Sequence, residues 1–324
     1  MSRKTPTKRK FSITASRVAV LLFILFSSYI LFNIKRQQMS TDKQTVQLLS
    51  IENVESVTPL PGNEQSDRKN AVIMPGKFEQ YDPFLLMFED WIGRNKGFED
   101  HPHRGIETVT LVLEGQIEHG DNRGNFGVLN VGDVQWMTAG SGLEHREMPH
   151  GNGGRTLQLW LNLPPDHKMT TPRYQDIRAT SMPTIEEEGV KIRLISGSLE
   201  GKTSSTQNIV KTLCLEGFIK KGFSKTIHIP SKYHSFLYLI SGRGKFGKEK
   251  KSVSHGHVIW TRSNEDGLLF VESEEDLHFF FAGGEPIKAP VVAHGPFVMN
   301  SKEQIMQAFS DYRSGKFGGQ VRKK

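Results

Sequence analysis

His101 and His103 lie one residue apart in GFEDHPHRGIETVTLVLEG, residues 97–115, and His145 and Glu147 repeat that spacing in SGLEHREMP. Along an extended strand, residues i and i+2 project to the same side. Each motif therefore presents two donor side chains together. If two neighbouring strands turn these pairs inward, three imidazoles and a carboxylate converge on one point. That donor set suits first-row divalent metals, with Fe, Mn, Ni, Cu and Zn all admissible. With no thiolate among the donors, a closed structural zinc site is disfavoured. Glu107, four residues after His103, shares its face and is a further candidate ligand. His255 and His257 in SHGHVIW form another such pair, but no partner pair accompanies them, and a solvent-facing or structural role is expected there.

The elements that must carry these pairs read as strands. ETVTLVLEG, FGVLNVGDVQWMTAG and RTLQLWLNL are short β-branched or alternating runs separated by glycine, the pattern of an antiparallel sandwich or barrel. A second set follows from Val190: KIRLISG, VKTLCLEGFI, KTIHIP, SFLYLISGRGKFG, HGHVIWTR, GLLFVES and LHFFFAGG. LVLEGQIEHG in the first set and YLISGRGKFG in the second each run a strand into glycine and a short turn. The expected fold is all-β, with two antiparallel β-barrel domains of one architecture. The first spans 45–175 and includes TVQLLSI, a linker covers 176–184, and the second spans 185–290. A returning strand and a short C-terminal helix are expected in 291–316, before a tail at 317–324. Asn300 or Ser301 can cap that helix, Glu303 sits in its first turn, and Ile305, Met306 and Phe309 form its apolar face.

The chain has 324 residues, enough for two domains with cores of their own. Its formal charge of +7 is unevenly placed. Residues 1–36 hold eight Lys or Arg and no acid, which leaves 34 basic against 35 acidic residues from position 37 onward. The body is neutral, so no nucleic-acid partner is expected. The only cysteine, Cys214, sits in an alternating apolar run and reads as a buried core thiol. Val18–Ile34 is free of charge between basic flanks. Its length as a helix, roughly 26 Å, comes close to a hydrocarbon core of ~30 Å. It reads as an uncleaved signal-anchor, followed by a tether at 37–44, with the folded body on the non-cytoplasmic side of a membrane. A cleaved secretory signal or a mitochondrial presequence is the alternative.

YDPFLLMFED, GFEDHPHRGIETVTLVLEG, GDVQWMTAGSGLEHREMP, LQLWLNL, MTTPRYQ and HGPFVMN together resemble the pirin family of bicupins, over about residues 45–316. The resemblance implies two stacked β-barrels with a metal in the N-terminal one, held by His101, His103, His145 and Glu147. Glu107 is not a ligand in that pattern, and the C-terminal barrel has no metal set. Iron(II) is the expected metal, with Mn, Ni, Cu or Zn as alternatives.

Many pirins are similar to quercetin 2,3-dioxygenases, which open the central ring of a flavonol with dioxygen and release carbon monoxide. On that reading Glu147 is the general base, the substrate is a flavonol-like aromatic, and Phe98, Trp136 and Met137 are candidates for the pocket wall and equally for core packing. Animal pirins are described as nuclear co-regulators of transcription, so a metal-loaded, redox-sensing protein-interaction module without turnover is the rival. A third reading gives the metal a purely structural role. A monomer is expected in each case.

Overall fold

The computed structural model of the chain describes residues 47–262 and 266–318. ETVTLVLEG lies in the strand Ile106–Asp121, VQWMT in Val134–Thr138 and RTLQLWLN in Leu143–Asn162. These belong to a nine-stranded sheet with the order Arg173–Ile177, Val134–Thr138, Ile106–Asp121, Leu143–Asn162, Phe84–Gly93, Arg68–Ile73, Thr58–Pro61. Off that path, Phe98–His103 pairs with Leu143–Asn162, and Phe126–Leu129 pairs with Ile106–Asp121.

Two long strands bend this sheet over itself. Gly115 adopts φ +72°, a conformation that glycine tolerates because it lacks Cβ. Opposite it, the register slips between Pro149 and Gly154. On one side of the bend the long strands pair with Phe84–Gly93 and Val134–Thr138. On the other they pair with Phe98–His103 and Phe126–Leu129. Gly242, with φ +87°, makes the corresponding turn in the second half.

The second half stacks two sheets. The larger is seven-stranded, running Thr184–Glu187, Val190–Ser196, Thr212–Ile219, Leu277–Gly284, His234–Ser241, His257–Arg262, Asn53–Ser56. The smaller contains Gln47–Leu48, Gly267–Ser273, Arg243–Phe246, Lys251–Ser254 and Ser224–Ile229. Ile192, Leu215, Leu237, Phe246, Leu269 and Phe279 fill the space between them. TVQLLSI, assigned from its sequence to the first half, contributes Gln47–Leu48 to the second, and Asn53–Ser56 joins the same half.

The closed barrels expected from the alternation are not formed. Among the described residues the nine-stranded order stops at Arg173–Ile177 and at Thr58–Pro61, and no sheet closes on itself. Closure demands a regular stagger around the whole ring. The register slips at Pro149/Gly154 and Ala71/Ile73 interrupt it.

The halves meet through a shared core in which Val109, Leu111, Trp136 and Leu157 of the first pack with Cys214, Phe236, Tyr238 and Phe280 of the second. Each fully buried large side chain contributes roughly 1.5–3 kcal/mol. Cys214 is fully buried, and burial pushes its thiol up to about 12, as befits an inert core residue. Glu89 crosses the same interface. It accepts hydrogen bonds from Arg155 Nε at 2.9 Å, Asn70 Nδ2 at 3.0 Å and the Tyr238 hydroxyl at 2.8 Å.

The C-terminal helix is Lys302–Arg313. Ser301 caps it by accepting from the Gln304 amide, and Gln304 Oε1 accepts from the Asn300 amide in return. Its buried apolar residues are Ile305 and Ala308, with Phe309 partly buried. Met306, placed on the apolar face from sequence, is instead 63% exposed. It sits one position off the i, i+3 stripe that Ile305 and Ala308 define.

The membrane-anchored placement is corrected. Among the described residues no helix is long and apolar enough to cross a membrane. The segment 18–34 on which that expectation rested lies outside the described residues.

The interface makes a graded prediction. Tyr238→Phe removes one hydroxyl from Glu89 and is expected to cost about 1 kcal/mol of unfolding free energy. Glu89→Ala leaves Tyr238 and Asn70 without their acceptor and Arg155 with Glu114 alone, and is expected to cost more, about 3 kcal/mol. Urea unfolding of the two variants checks the order.

Candidate metal centre

Three of the four donors of the two motifs come together. Phe98–His103 lies antiparallel to Leu143–Asn162, with His101 directly opposite His145 and His103 opposite Leu143. Ligand atoms of His101, His103 and His145 lie within 4.8 Å of one another. Ring centroids are 4.4 Å apart for His101 and His145, 4.9 Å for His101 and His103, and 5.1 Å for His103 and His145. Among the described residues no other such donor group forms. His257 is occupied differently, its Nδ1 bonding to the Ser254 carbonyl at 3.0 Å.

The chemistry of these rings fits a metal. His101 Nδ1 donates to the Glu99 carbonyl at 2.7 Å, which leaves Nε2 as its free donor of an electron pair. His103 and His145 are 2% and 1% exposed, and no ring nitrogen of either has a hydrogen-bond partner. Buried polar atoms are almost always paired, so these nitrogens are the unmet half of an interaction. Burial holds both imidazoles well below their ordinary value of 6.5, and the neighbouring His101 adds to the effect. They are therefore neutral, the form that binds metals. His101 is only half-buried and opens the cluster towards solvent.

Glu147 does not join the three rings at their meeting point. It is 3% exposed and its carboxylate is held on both oxygens. Oε1 accepts from Thr110 Oγ1 at 3.0 Å and Oε2 from Gln158 Nε2 at 2.6 Å. Gln158 Oε1 in turn accepts from Trp160 Nε1 at 3.2 Å, and the Trp160 ring packs edge-on against His103 at 4.9 Å. Thr110 and Gln158 are opposite each other in adjacent strands. A continuous path thus joins Thr110, Glu147, Gln158 and Trp160 to a histidine. Gln158 and Trp160 were not singled out from sequence. The available signal was a glutamine inside the apolar alternation of RTLQLWLN, where leucines occupy the other face.

The expected pocket walls separate. Phe98 stays by the site, its ring 6.2 Å from His101. Met137 packs in the cluster that includes Trp160. Trp136 points the other way, into the core between the halves, because neighbouring residues of a strand face opposite sides. Glu107 also faces away from the histidines. It is fully buried, accepts from Thr138 Oγ1 at 2.7 Å, and burial raises its carboxyl above the ordinary value.

Comparisons with known proteins identify the family. A family signature described as "Pirin" matches residues 60–161, and one described as "Pirin C-terminal cupin domain" matches 214–318. The chain belongs to the pirin family. A "Pirin-like protein" of Solanum lycopersicum is 41% identical over 75% of this chain and 84% of that one. The pirin of Homo sapiens is 37% identical over 86% and 95% of the two chains. Among solved structures, a quercetin 2,3-dioxygenase from Acinetobacter baumannii is 29% identical, with a TM-score of 0.77, over 84% of this chain and 99% of its own. The fold is thus the bicupin fold of a pirin, with sheets that among the described residues are open.

The depressed imidazoles set a pH response. An unfolded histidine gains its proton as pH falls through 6.5, whereas His103 and His145 resist it while folded. The unfolded state then binds more protons, so stability is lost as pH drops below that value. Urea unfolding of metal-free protein at a series of pH values is expected to show this decline. His145→Gln is expected to make it shallower.

Proposed function

We propose that this pirin is a metal-dependent dioxygenase of the quercetin 2,3-dioxygenase type, acting on a flavonol-like substrate with dioxygen. The observation that carries the reading is the convergence of three imidazoles, two of them buried without hydrogen-bond partners, beside a buried carboxylate. The overall likeness to a quercetin 2,3-dioxygenase supports it.

His101, His103 and His145 would hold the metal, while Glu147, the fourth ligand expected from spacing, lies outside the group those rings form and serves as the base beside it. Iron(II) is the first choice, and Mn, Ni, Cu and Zn also suit the donor set. When bound, the metal supplies Lewis acidity towards the flavonol hydroxyl oxygen and a common binding point for dioxygen. The protein's own share is proton handling and orientation. Glu147 accepts the hydroxyl proton of the substrate. Thr110 and Gln158 aim its two oxygens, so the base is oriented before substrate arrives. Trp160 fixes the His103 ring from behind and keeps water from that side. The half-buried His101 marks the side from which a planar aromatic approaches, with Phe98 beside it.

Metal analysis and turnover assays on the full chain test the proposal. The expected content is about one metal per chain, with oxygen consumed and carbon monoxide released when quercetin is added. His145→Ala is expected to abolish metal retention. Glu147→Gln is expected to keep some metal while turnover falls about 10²–10⁴-fold, the span typical of removing a general base. Metal-loaded protein that consumes no oxygen with any flavonol would overturn the enzymatic reading in favour of a binding role.

A further inference from the structure

The last part of the chain packs on the strands that carry the histidines, far from it in sequence. Residue Phe297 bridges to Arg104, and the Val298 amide donates to the Arg104 carbonyl at 3.1 Å. Arg104 directly follows His103 and is 4% exposed. Its Nε donates to the Ser141 carbonyl at 2.8 Å and its Nη1 to Asp311 Oδ2 at 2.9 Å. The guanidinium lies 4.5 Å over the Phe317 ring. Asp311 Oδ1 also accepts from Gln307 Nε2 and Lys316 Nζ, each at 2.8 Å.

A second grip falls on the other ligand strand. The Tyr312 hydroxyl donates to Glu144 Oε1 at 2.8 Å, and Glu144 directly precedes His145. Phe317 also accepts, through its carbonyl, from Asn122 Nδ2 at 3.0 Å, while Asn122 Oδ1 accepts from the Glu144 amide at 3.3 Å. One helix turn, Asp311 and Tyr312, thus reaches the neighbour of His103 and the neighbour of His145. Lys168 anchors the same segment, its Nζ donating to the carbonyls of Gly105 and Val298 at 2.8 Å each.

We propose that the segment 297–317 is a working part of the metal centre, setting the separation of the His103 and His145 imidazoles and hence the affinity for a divalent transition metal. It rests on the metal-centre reading above. Arg104, Asp311 and Tyr312 are positioning residues in it, since none reaches the ligand atoms. The need for such a brace is visible in the sheet. Phe98–His103 lies off the main strand order, and its pairing slips between His145 and Glu147. Coordination tolerates errors of only about 0.2 Å. Partners one layer out from the ligands typically change metal affinity about 10–100-fold when replaced.

Titration of the full chain with cobalt(II), whose visible spectrum reports coordination geometry, tests this against chelator competition. Tyr312→Phe is expected to weaken cobalt binding about tenfold or more and to shift the spectrum, with thermal unfolding of the metal-free protein little changed. Asp311→Asn is expected to weaken binding likewise and also to lower stability, because Arg104 loses its charge partner. Tyr312→Phe loses one hydroxyl and keeps the ring, so the comparison survives even if Asp311→Asn unfolds. Lowered thermal stability with wild-type affinity and spectrum would show a merely structural brace and overturn the inference. A wild-type chain that takes up no cobalt would instead overturn the metal-centre reading on which it rests.

Discussion

Two buried imidazoles without hydrogen-bond partners are the constraint around which the first half of this pirin is organised. Each unpaired buried polar group costs about 1–3 kcal/mol, and both His103 and His145 carry that cost on the same small volume. A fold keeps such groups only when surrounding packing holds them in place. Here the holding is done by strand pairing that sets His145 against His101, by the Trp160 ring on His103, and by the hydrogen bonds that fix His101 and Glu147.

The same strands have a second duty on their other face. In Ile106–Asp121, Thr110 turns towards Glu147 while Val109 and Leu111 enter the core shared with the second half. In Leu143–Asn162, Gln158 and Trp160 serve the site while Leu157 and Leu159 serve that core. The period of two that defines a strand lets chemistry and adhesion share one backbone. The site is rigid because its reverse side is a packed interior, and Glu89 adds a polar tie through Tyr238.

Much of this was legible in the amino-acid order, and the gaps have physical reasons. The pairs at His101 and His103 and at His145 and Glu147 stand on strands whose alternation is plain, so the approach of the three imidazoles follows from local geometry, whereas Glu147 is held apart by Thr110 and Gln158. Trp136 stayed open between pocket wall and core because a single strand does not show which of its faces meets the second half. Barrel closure was misjudged because the stagger of a sheet depends on slips such as Pro149/Gly154, whose glycines mark a break in one strand without showing how its neighbours pair across it. Thr110, Gln158 and the Asp311 contact to Arg104 escaped notice because each acts on a residue from a different strand or helix. Such contacts are properties of the folded chain.

Both ends of the described chain are lent to the opposite half. Asn53–Ser56 completes the edge of the sheet ending at His257–Arg262, while the segment after Phe297 settles against Arg104 and Glu144. Neither half is therefore a transplantable module. Cutting the chain at its midpoint would bare a sheet edge on the second piece, the kind of exposed ladder through which proteins aggregate.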